Sequence, residues 1–299
     1  MKFFNKKETL IENMTFMAIT AIINVIVSLV AGFSVIASLF LIIFLPLVSA
    51  LTEIVCKDKY YPIYAVVAIG LSIVTTLWNI ETTIFYTIPS ILTGFIFGFI
   101  LKHNFKPFYS VVLASLVQAG FVMLSILFIN YVLEIDIVNT FKTALGLIDS
   151  PIIAIIFPSA VLLAGFIEMS LAYFVIQAEA VKFGISLKEE GQNYIIPVIA
   201  FVSSASLFGL YFLDLTTAYF FMFLSLFVIS YVVVLAIVQK DILLLILYGL
   251  YFVITIILYV LFGSKLAPNS GFLLLGSFPL LVSLTNLSYS FLKKKDNKE

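Results

Sequence analysis

The sequence predicts an all-α, polytopic membrane helix bundle of about ten transmembrane helices with both termini cytoplasmic. Three observations predict it. The 299 residues are 63% hydrophobic and only 11% charged, with a mean hydropathy of +1.21, whereas soluble domains run near 45–50% apolar and about 25% charged. Apolar runs of about 20 residues, the length that crosses a hydrocarbon core, recur along the whole chain. The 16 basic residues are all lysine, and they gather in alternate connections, as the positive-inside rule requires.

In chain order the spans are 13–31, 34–55, 61–78, 83–101, 107–133, 152–181, 194–213, 216–238, 242–263 and 270–292. The first begins after Lys2, Lys6 and Lys7 and is too long, with no small-x-small site, for a cleaved signal peptide. Only Ala31-Gly32-Phe33 punctuates the first two spans, so two helices, one bent helix and a re-entrant segment all fit there. Lys57 and Lys59 close the second span, the Lys102–Lys106 loop separates the fourth from the fifth, and Lys182 and Lys188 follow the sixth. With the N-terminus inside, 14 of the 16 lysines are cytoplasmic and only Lys142 and Lys265 lie outside. An even number of spans is what preserves this bias.

Two connections carry information of their own. The outer one, 134–151, places Ile137, Phe141, Ala144, Leu145 and Ile148 near helical spacing, which fits an amphipathic surface helix or a lid-like loop with a local turn. The inner one, FGISLKEEGQN (183–193), has glycines and charges without apolar period and reads as a linker. It divides a six-span unit, 1–183, and a linker, 184–193, from a four-span unit, 194–299.

Ionisable groups within a membrane are functional hypotheses by default. Glu168 is the acid deepest in a span, about 20 Å from the inner end of the sixth at 1.5 Å per residue. Gln118 lies about 17 Å from the inner end of the fifth by the same arithmetic, and Asn24, Ser203, Ser204 and Ser206 share this depth. One reading has Glu168, Gln118 and Asn24 bind a polar or cationic part of a ligand or relay a proton. The other is an interhelical hydrogen-bonded pair in which Glu168 is protonated by desolvation. Glu53 and Glu179, near inner span ends, are expected to snorkel to the interface. Tyr60, Tyr61, Tyr64, Tyr109, Tyr194, Tyr211 and Tyr219 fall where an aromatic belt sits, and Trp78 is either an anchor of that belt or a stacking surface for a flat ligand. Gly94 and Gly98 form a GxxxG packing face for a neighbouring span or a partner subunit. Pro46, Pro89, Pro158, Pro197 and Pro279 lie within spans, where they kink helices or free carbonyls.

Several chemistries are excluded or unsupported. There is no phosphate-binding GxxxxGK[ST] loop. One histidine, His103, cannot build HExxH, and one cysteine, Cys56, cannot build a disulfide or a thiolate metal site. Asp214 and Asp241 lie in connections, so no pair of span aspartates is available for proteolysis. The absence of arginine removes a voltage sensor, and a net charge of zero gives no reason for a nucleic-acid partner. No enzyme and no cofactor is expected, and the constant partner is the lipid bilayer.

Ile88-Pro89 followed by Gly94, Gly98 and the Lys102–Lys106 loop, the linker from Phe183-Gly184 to Pro197, and the stretch Gly276 to Asn286 before the terminal lysines carry a resemblance. The chain is similar to the YybS-like family of bacterial polytopic membrane proteins. Its six-span half resembles the substrate-binding (S) subunits of energy-coupling-factor vitamin transporters. The resemblance implies a bacterial cell membrane, a vitamin-like ligand captured from outside among spans one to six, and separate energising transporter subunits that release it by toppling the subunit. Family S subunits dock such partners through small residues one turn apart on the first helix; here Ala18 and Ala21 are three apart rather than four. The functions to be weighed are therefore small-molecule binding or uptake without an intrinsic ATPase, a structural or regulatory role through partner helices, and proton-coupled carriage by Glu168.

Overall fold

The computed structural model describes residues 6–33, 44–103, 105–144, 151–182, 195–212, 215–238, 240–262 and 271–296. Every regular element among them is helical, and seven helices are long and apolar enough to cross a membrane. The chain is thus a multi-pass membrane protein. It forms two compact units, 1–153 with 164–190, and 154–163 with 191–299. The second-span residues 34–43, the linker 184–193, and Leu145, Ile148, Tyr194, Asp214 and Lys265 lie outside the described residues.

In the first unit α1 spans Leu10–Phe33, α2 Phe44–Val55 and α3 Tyr61–Thr75. Helix α4 covers Ile88–Lys102, α5 Pro107–Val132 and α6 Ile137–Ala144, and most of α7, Pro151–Lys182, belongs here too. Helix α1 opens on a capping box. The Glu12 carboxylate accepts from the Thr9 backbone N–H at 3.1 Å, and the Thr9 hydroxyl accepts from the Glu12 N–H at 3.3 Å, so orphan donors of the first turn are satisfied. Helix α6 is the helical one of the two alternatives offered for the connection 134–151; Asp136 caps it, accepting from the Asn139 N–H at 3.0 Å.

Helix α4 has an irregular approach. From Leu77 a 3₁₀ turn, one α turn over Ile80–Thr82 and a π turn over Thr83–Thr87 run without a break into Ile88–Lys102. Pro89 gives the reason. Its ring crowds the carbonyl one turn earlier and it brings no N–H, so the preceding turn widens.

Helix α4 packs against α2, and α1 packs against both α2 and α3. The α2–α4 contact is backbone-close. A Cβ on Gly98 would stand 2.6 Å from the Ala50 carbonyl oxygen, and one on Gly94 would meet Ser49 Cβ. The GxxxG face is therefore occupied within the chain, which leaves it no free surface for a partner subunit.

The lysine-rich end of this unit is stapled by polar contacts. Lys102 Nζ donates to the carbonyls of Glu53 (3.1 Å) and Cys56 (2.8 Å), capping the C-terminus of α2, and it pairs with Asp58. Burial pushes the Asp58 carboxyl up, but the hydrogen bond and charge of Lys102 outweigh it and hold it below the usual carboxylate range. Asn13 accepts from the Lys57 N–H at 2.9 Å, and Lys7 N–H donates to the Val55 carbonyl at 3.0 Å. Glu53 does not snorkel. Its side chain is fully buried over Gly98 and faces Lys102 Nζ at 3.6 Å, because the missing Cβ of Gly98 opens room for it.

In the second unit α8 spans Ile195–Tyr211, α9 Leu215–Val238, α10 Ile242–Phe262 and α11 Gly271–Asp296. Helix α8 packs on α9 and α11. Gly276 lets α11 close onto Leu207, where an added Cβ would stand 3.4 Å from Leu207 Cγ. Tyr248 and Tyr251 of α10 accept from Asn286 and Thr285 of α11, each at 3.1 Å. Ile246, Leu250, Val253, Ile257 and Val260 of α10 are exposed, as a helix against lipid allows.

Candidate functional site: a polar seam inside the first unit

A membrane bundle surrounded by lipid turns its polar side chains inward. Along α4 and its approach the polar residues Thr83, Thr87, Ser90 and Thr93 recur at near-helical spacing, and all are fully buried. From α1 come Asn24 and Ser28, from α2 Ser49, from α3 Tyr64 and Ser72, from α5 Gln118 and from α7 Glu168, each no more than 4% exposed.

These side chains form three linked groups. In the first, Asn24 Nδ2 donates to Tyr64 OH at 2.6 Å and to Ser49 Oγ at 2.9 Å, and the two hydroxyls are 3.2 Å apart. In the second, Ser28 Oγ lies 2.7 Å from Thr87 Oγ1 and 3.4 Å from Thr83 Oγ1. Thr83 in turn bonds Thr76, which donates to the Ser72 carbonyl at 2.8 Å. In the third, Gln118 Nε2 donates to Glu168 Oε2 at 3.2 Å and reaches Ser90 Oγ at 3.5 Å. Gly165, one turn before Glu168, makes this last pair possible. An added Cβ there would stand 3.4 Å from the Ser115 carbonyl oxygen and 3.5 Å from Gln118 Cγ, so α5 and α7 approach closely.

The seam is incompletely satisfied. Among the described residues, Asn24 Oδ1, Gln118 Oε1 and Glu168 Oε1 are buried without a hydrogen-bond partner, as are the Ser72, Thr93 and Ser170 hydroxyls. Most buried polar groups in proteins find partners, so such a concentration asks for an explanation. The Asn24 and Gln118 oxygens are acceptors that a donor would satisfy, while Glu168 Oε1 accepts when the carboxyl is ionised and donates when it is protonated.

Glu168 and Gln118, placed at one depth by the sequence, are hydrogen-bonded to each other. Asn24 shares their unit, but it bonds Ser49 and Tyr64 rather than Gln118. Ser203 and Ser204 belong to the second unit and donate to the Ala200 carbonyl of their own helix, at 3.1 and 2.7 Å. Trp78 is 58% exposed and stacks on Phe33 with ring centroids 5.3 Å apart, so it stands on the outside of the unit. Tyr61 and Tyr64 are buried, 3% and 2% exposed, not members of a belt. Tyr61 OH donates to the Ile91 carbonyl at 2.7 Å. Ala18 is exposed and Ala21 buried, so these two small residues do not share an open face of α1.

Ser49, Tyr64 and the threonines of the π turn are the functional candidates that sequence reasoning missed. Their signal was present: Tyr61, Tyr64, Ala68 and Ser72 are the buried residues of α3, spaced as one helical face of small or polar-tipped side chains.

The Asn24–Tyr64 bond is open to direct measurement. A double-mutant cycle of Asn24→Ala and Tyr64→Phe, read by unfolding in detergent, is expected to return about 1 kcal/mol of coupling. Strict additivity would show that the two side chains do not share a bond.

No set of three or more His, Cys, Asp or Glu side chains that could hold a metal occurs among the described residues. Compared with protein-family models, with curated proteins and with solved structures, the chain matches none.

Proposed function

We propose that the chain is a small-molecule-binding membrane subunit that acts in uptake of a vitamin-like compound and has no ATPase of its own. In this reading it has ten spans with both termini cytoplasmic in a bacterial cell membrane, and separate transporter subunits supply the energy. The observation that carries the reading is the seam of the first unit, where among the described residues Asn24 Oδ1, Gln118 Oε1 and Glu168 Oε1 are buried without a hydrogen-bond partner. A ligand with N–H or O–H groups would supply donors to the Asn24 and Gln118 oxygens, and the lipid outside cannot. The resemblance to S subunits points the same way.

The purified chain, screened by thermal shift against vitamins and nucleobases, is expected to be stabilised by at least one donor-bearing compound. At a ligand concentration of 100 Kd the gain is about 2.7 kcal/mol. That gain should shrink in Gln118→Ala and Asn24→Ala. If no compound raises the melting temperature, the reading fails.

A second reading has one specific observation in its favour. Glu168 is a buried carboxyl with no ion pair to it among the described residues, the arrangement found where protons are taken up and released inside membranes. It makes the chain a proton-coupled carrier. The Gly94/Gly98 face offers nothing to a third, purely structural reading, since α2 already covers it.

A further inference from the structure

We propose that Glu168 of α7, Gln118 of α5 and Ser90 of α4 form a binding site for a monovalent metal ion of sodium size, inside the first unit. Such an ion serves a binding subunit and a carrier alike, so it goes beyond both readings above. Charge is the first observation. Glu168 is 4% exposed, and among the described residues no ion pair reaches it. The lysines of the α4–α5 connection are far off: Lys102 is twelve residues from Ser90 and Lys106 twelve from Gln118, about 18 Å in each case at 1.5 Å per residue. A carboxylate at that depth is neutralised by a proton or by a cation from outside the chain.

A proton answers the charge but not the hydrogen bonds. Glu168 Oε2 accepts from Gln118 Nε2 at 3.2 Å, so the proton would have to sit on Oε1. There it meets no acceptor, because Oε1 has no partner among the described residues, and Gln118 Oε1 still has no donor. Turning the Gln118 amide over lets its oxygen accept a proton carried by Oε2, but Glu168 Oε1 is then left without a donor. Each placement of the proton thus leaves a buried carboxyl oxygen unmatched. A metal ion instead takes lone pairs from the carboxylate, from the turned amide oxygen and from a hydroxyl at once.

The spacing of these atoms sets the size of the ion. The Gln118 amide atom that faces the site stands 3.2 Å from Glu168 Oε2 and 3.5 Å from Ser90 Oγ. Oxygens at right angles round an ion bound at about 2.3–2.6 Å, as calcium is, stand about 3.2–3.7 Å apart, whereas magnesium's roughly 2.0–2.1 Å brings them to about 2.8–3.0 Å. Sodium shares the calcium size and carries the single charge that one carboxylate balances. A divalent ion would leave a positive charge uncompensated in the bilayer. Ser90 is fully buried, and its hydroxyl can ligate through a lone pair while donating its proton elsewhere. Thr93, one turn along α4, adds a fully buried hydroxyl without a partner among the described residues. Gly165, where an added Cβ would stand 3.5 Å from Gln118 Cγ, lets α5 and α7 hold this spacing.

The test uses the full chain in detergent at fixed pH and ionic strength and reads thermal unfolding in sodium, potassium or choline chloride. Sodium is expected to raise the melting temperature saturably, and potassium and choline to leave it unchanged. Glu168→Gln should keep the fold and lose the sodium shift. Ser90→Ala should raise the half-saturating sodium concentration about tenfold, and it decides the matter if Glu168→Gln does not fold. Asn24→Ala, in another group of the seam, should leave the sodium shift intact. Equal shifts with the three salts, or none, would overturn the proposal. So would a sodium shift that survives in Glu168→Gln or is unchanged in Ser90→Ala. Loss in Asn24→Ala as well would also overturn it, since any weakening of the seam would then abolish the shift. No vitamin or nucleobase is present, so a negative result leaves the ligand screen to be decided on its own.

Discussion

Gly98→Ala is expected to destabilise the protein by about 2 kcal/mol, although alanine is the better helix former. The added Cβ would stand 2.6 Å from the Ala50 carbonyl oxygen and 2.7 Å from Glu53 Cβ. The first neighbour is backbone and cannot step aside, so α2 and α4 must separate, and their separation loosens the contact between Glu53 and Lys102. Gly94→Ala should act in the same direction, since its Cβ would meet Ser49 Cβ and the Pro46 carbonyl oxygen. The control is built into the same unit. Gly70 and Gly120 are helical, exposed and have nothing within 4 Å of an added Cβ. Gly70→Ala and Gly120→Ala should therefore be neutral or stabilise by up to about 1 kcal/mol. Unfolding of the four variants in detergent decides the matter. A neutral Gly98→Ala would mean that α2 does not lie on this face, and the face would again be open to a partner subunit.

How much of this was legible beforehand follows the physics of the two solvents. Lipid demands long apolar helices, so α1, α5, α7, α9, α10 and α11 could be placed from hydropathy alone, and α6 from its apolar period. The pairing of Gln118 with Glu168 followed from depth and from adjacency of the fifth and sixth spans. What hydropathy does not encode is which face of a span turns inward. In a membrane the informative stripe is the polar one, and Thr83, Thr87, Ser90 and Thr93 with Gly94 and Gly98 mark it on α4. Read as a stripe, they identify the seam and the α2 contact together.

Glu53 shows a second limit. One turn from a span end, beside Lys57 and Lys59, a glutamate has two low-energy outcomes: reach water, or find a cation from another helix. The second requires a cavity and a partner, and both come from α4, as Gly98 and Lys102. Neither is near in sequence, so local spacing favoured the wrong outcome. The same holds for Tyr61 and Tyr64. A tyrosine near a span end is an interfacial anchor by default, but here the Ile91 carbonyl and Asn24 give their hydroxyls partners inside the bundle.

Glu168→Ala and Glu168→Gln are expected to separate sharply, and their difference reads out what the carboxyl is for. Alanine leaves a cavity between α5 and α7 and strips Gln118 Nε2 of the acceptor it holds at 3.2 Å. Lost packing and an unsatisfied buried amide together should cost about 3 kcal/mol. Glutamine has the shape of the neutral acid. Its oxygen can accept from Gln118 Nε2, and its amide can donate to Gln118 Oε1, the atom that now lacks a donor. Glu168→Gln should therefore unfold within about 1 kcal/mol of wild type. With folding preserved, function becomes the readout. If the carboxyl only holds α5 to α7, ligand stabilisation and transport survive in Glu168→Gln. If it binds a cationic ligand group, the thermal shift from that ligand falls by about tenfold in affinity or more, the loss of a charge-assisted hydrogen bond. If it carries a proton, ligand still binds but the pH dependence of transport disappears, because an amide has no proton to exchange. Identical pH profiles for wild type and Glu168→Gln would end the carrier reading while leaving the binding subunit intact.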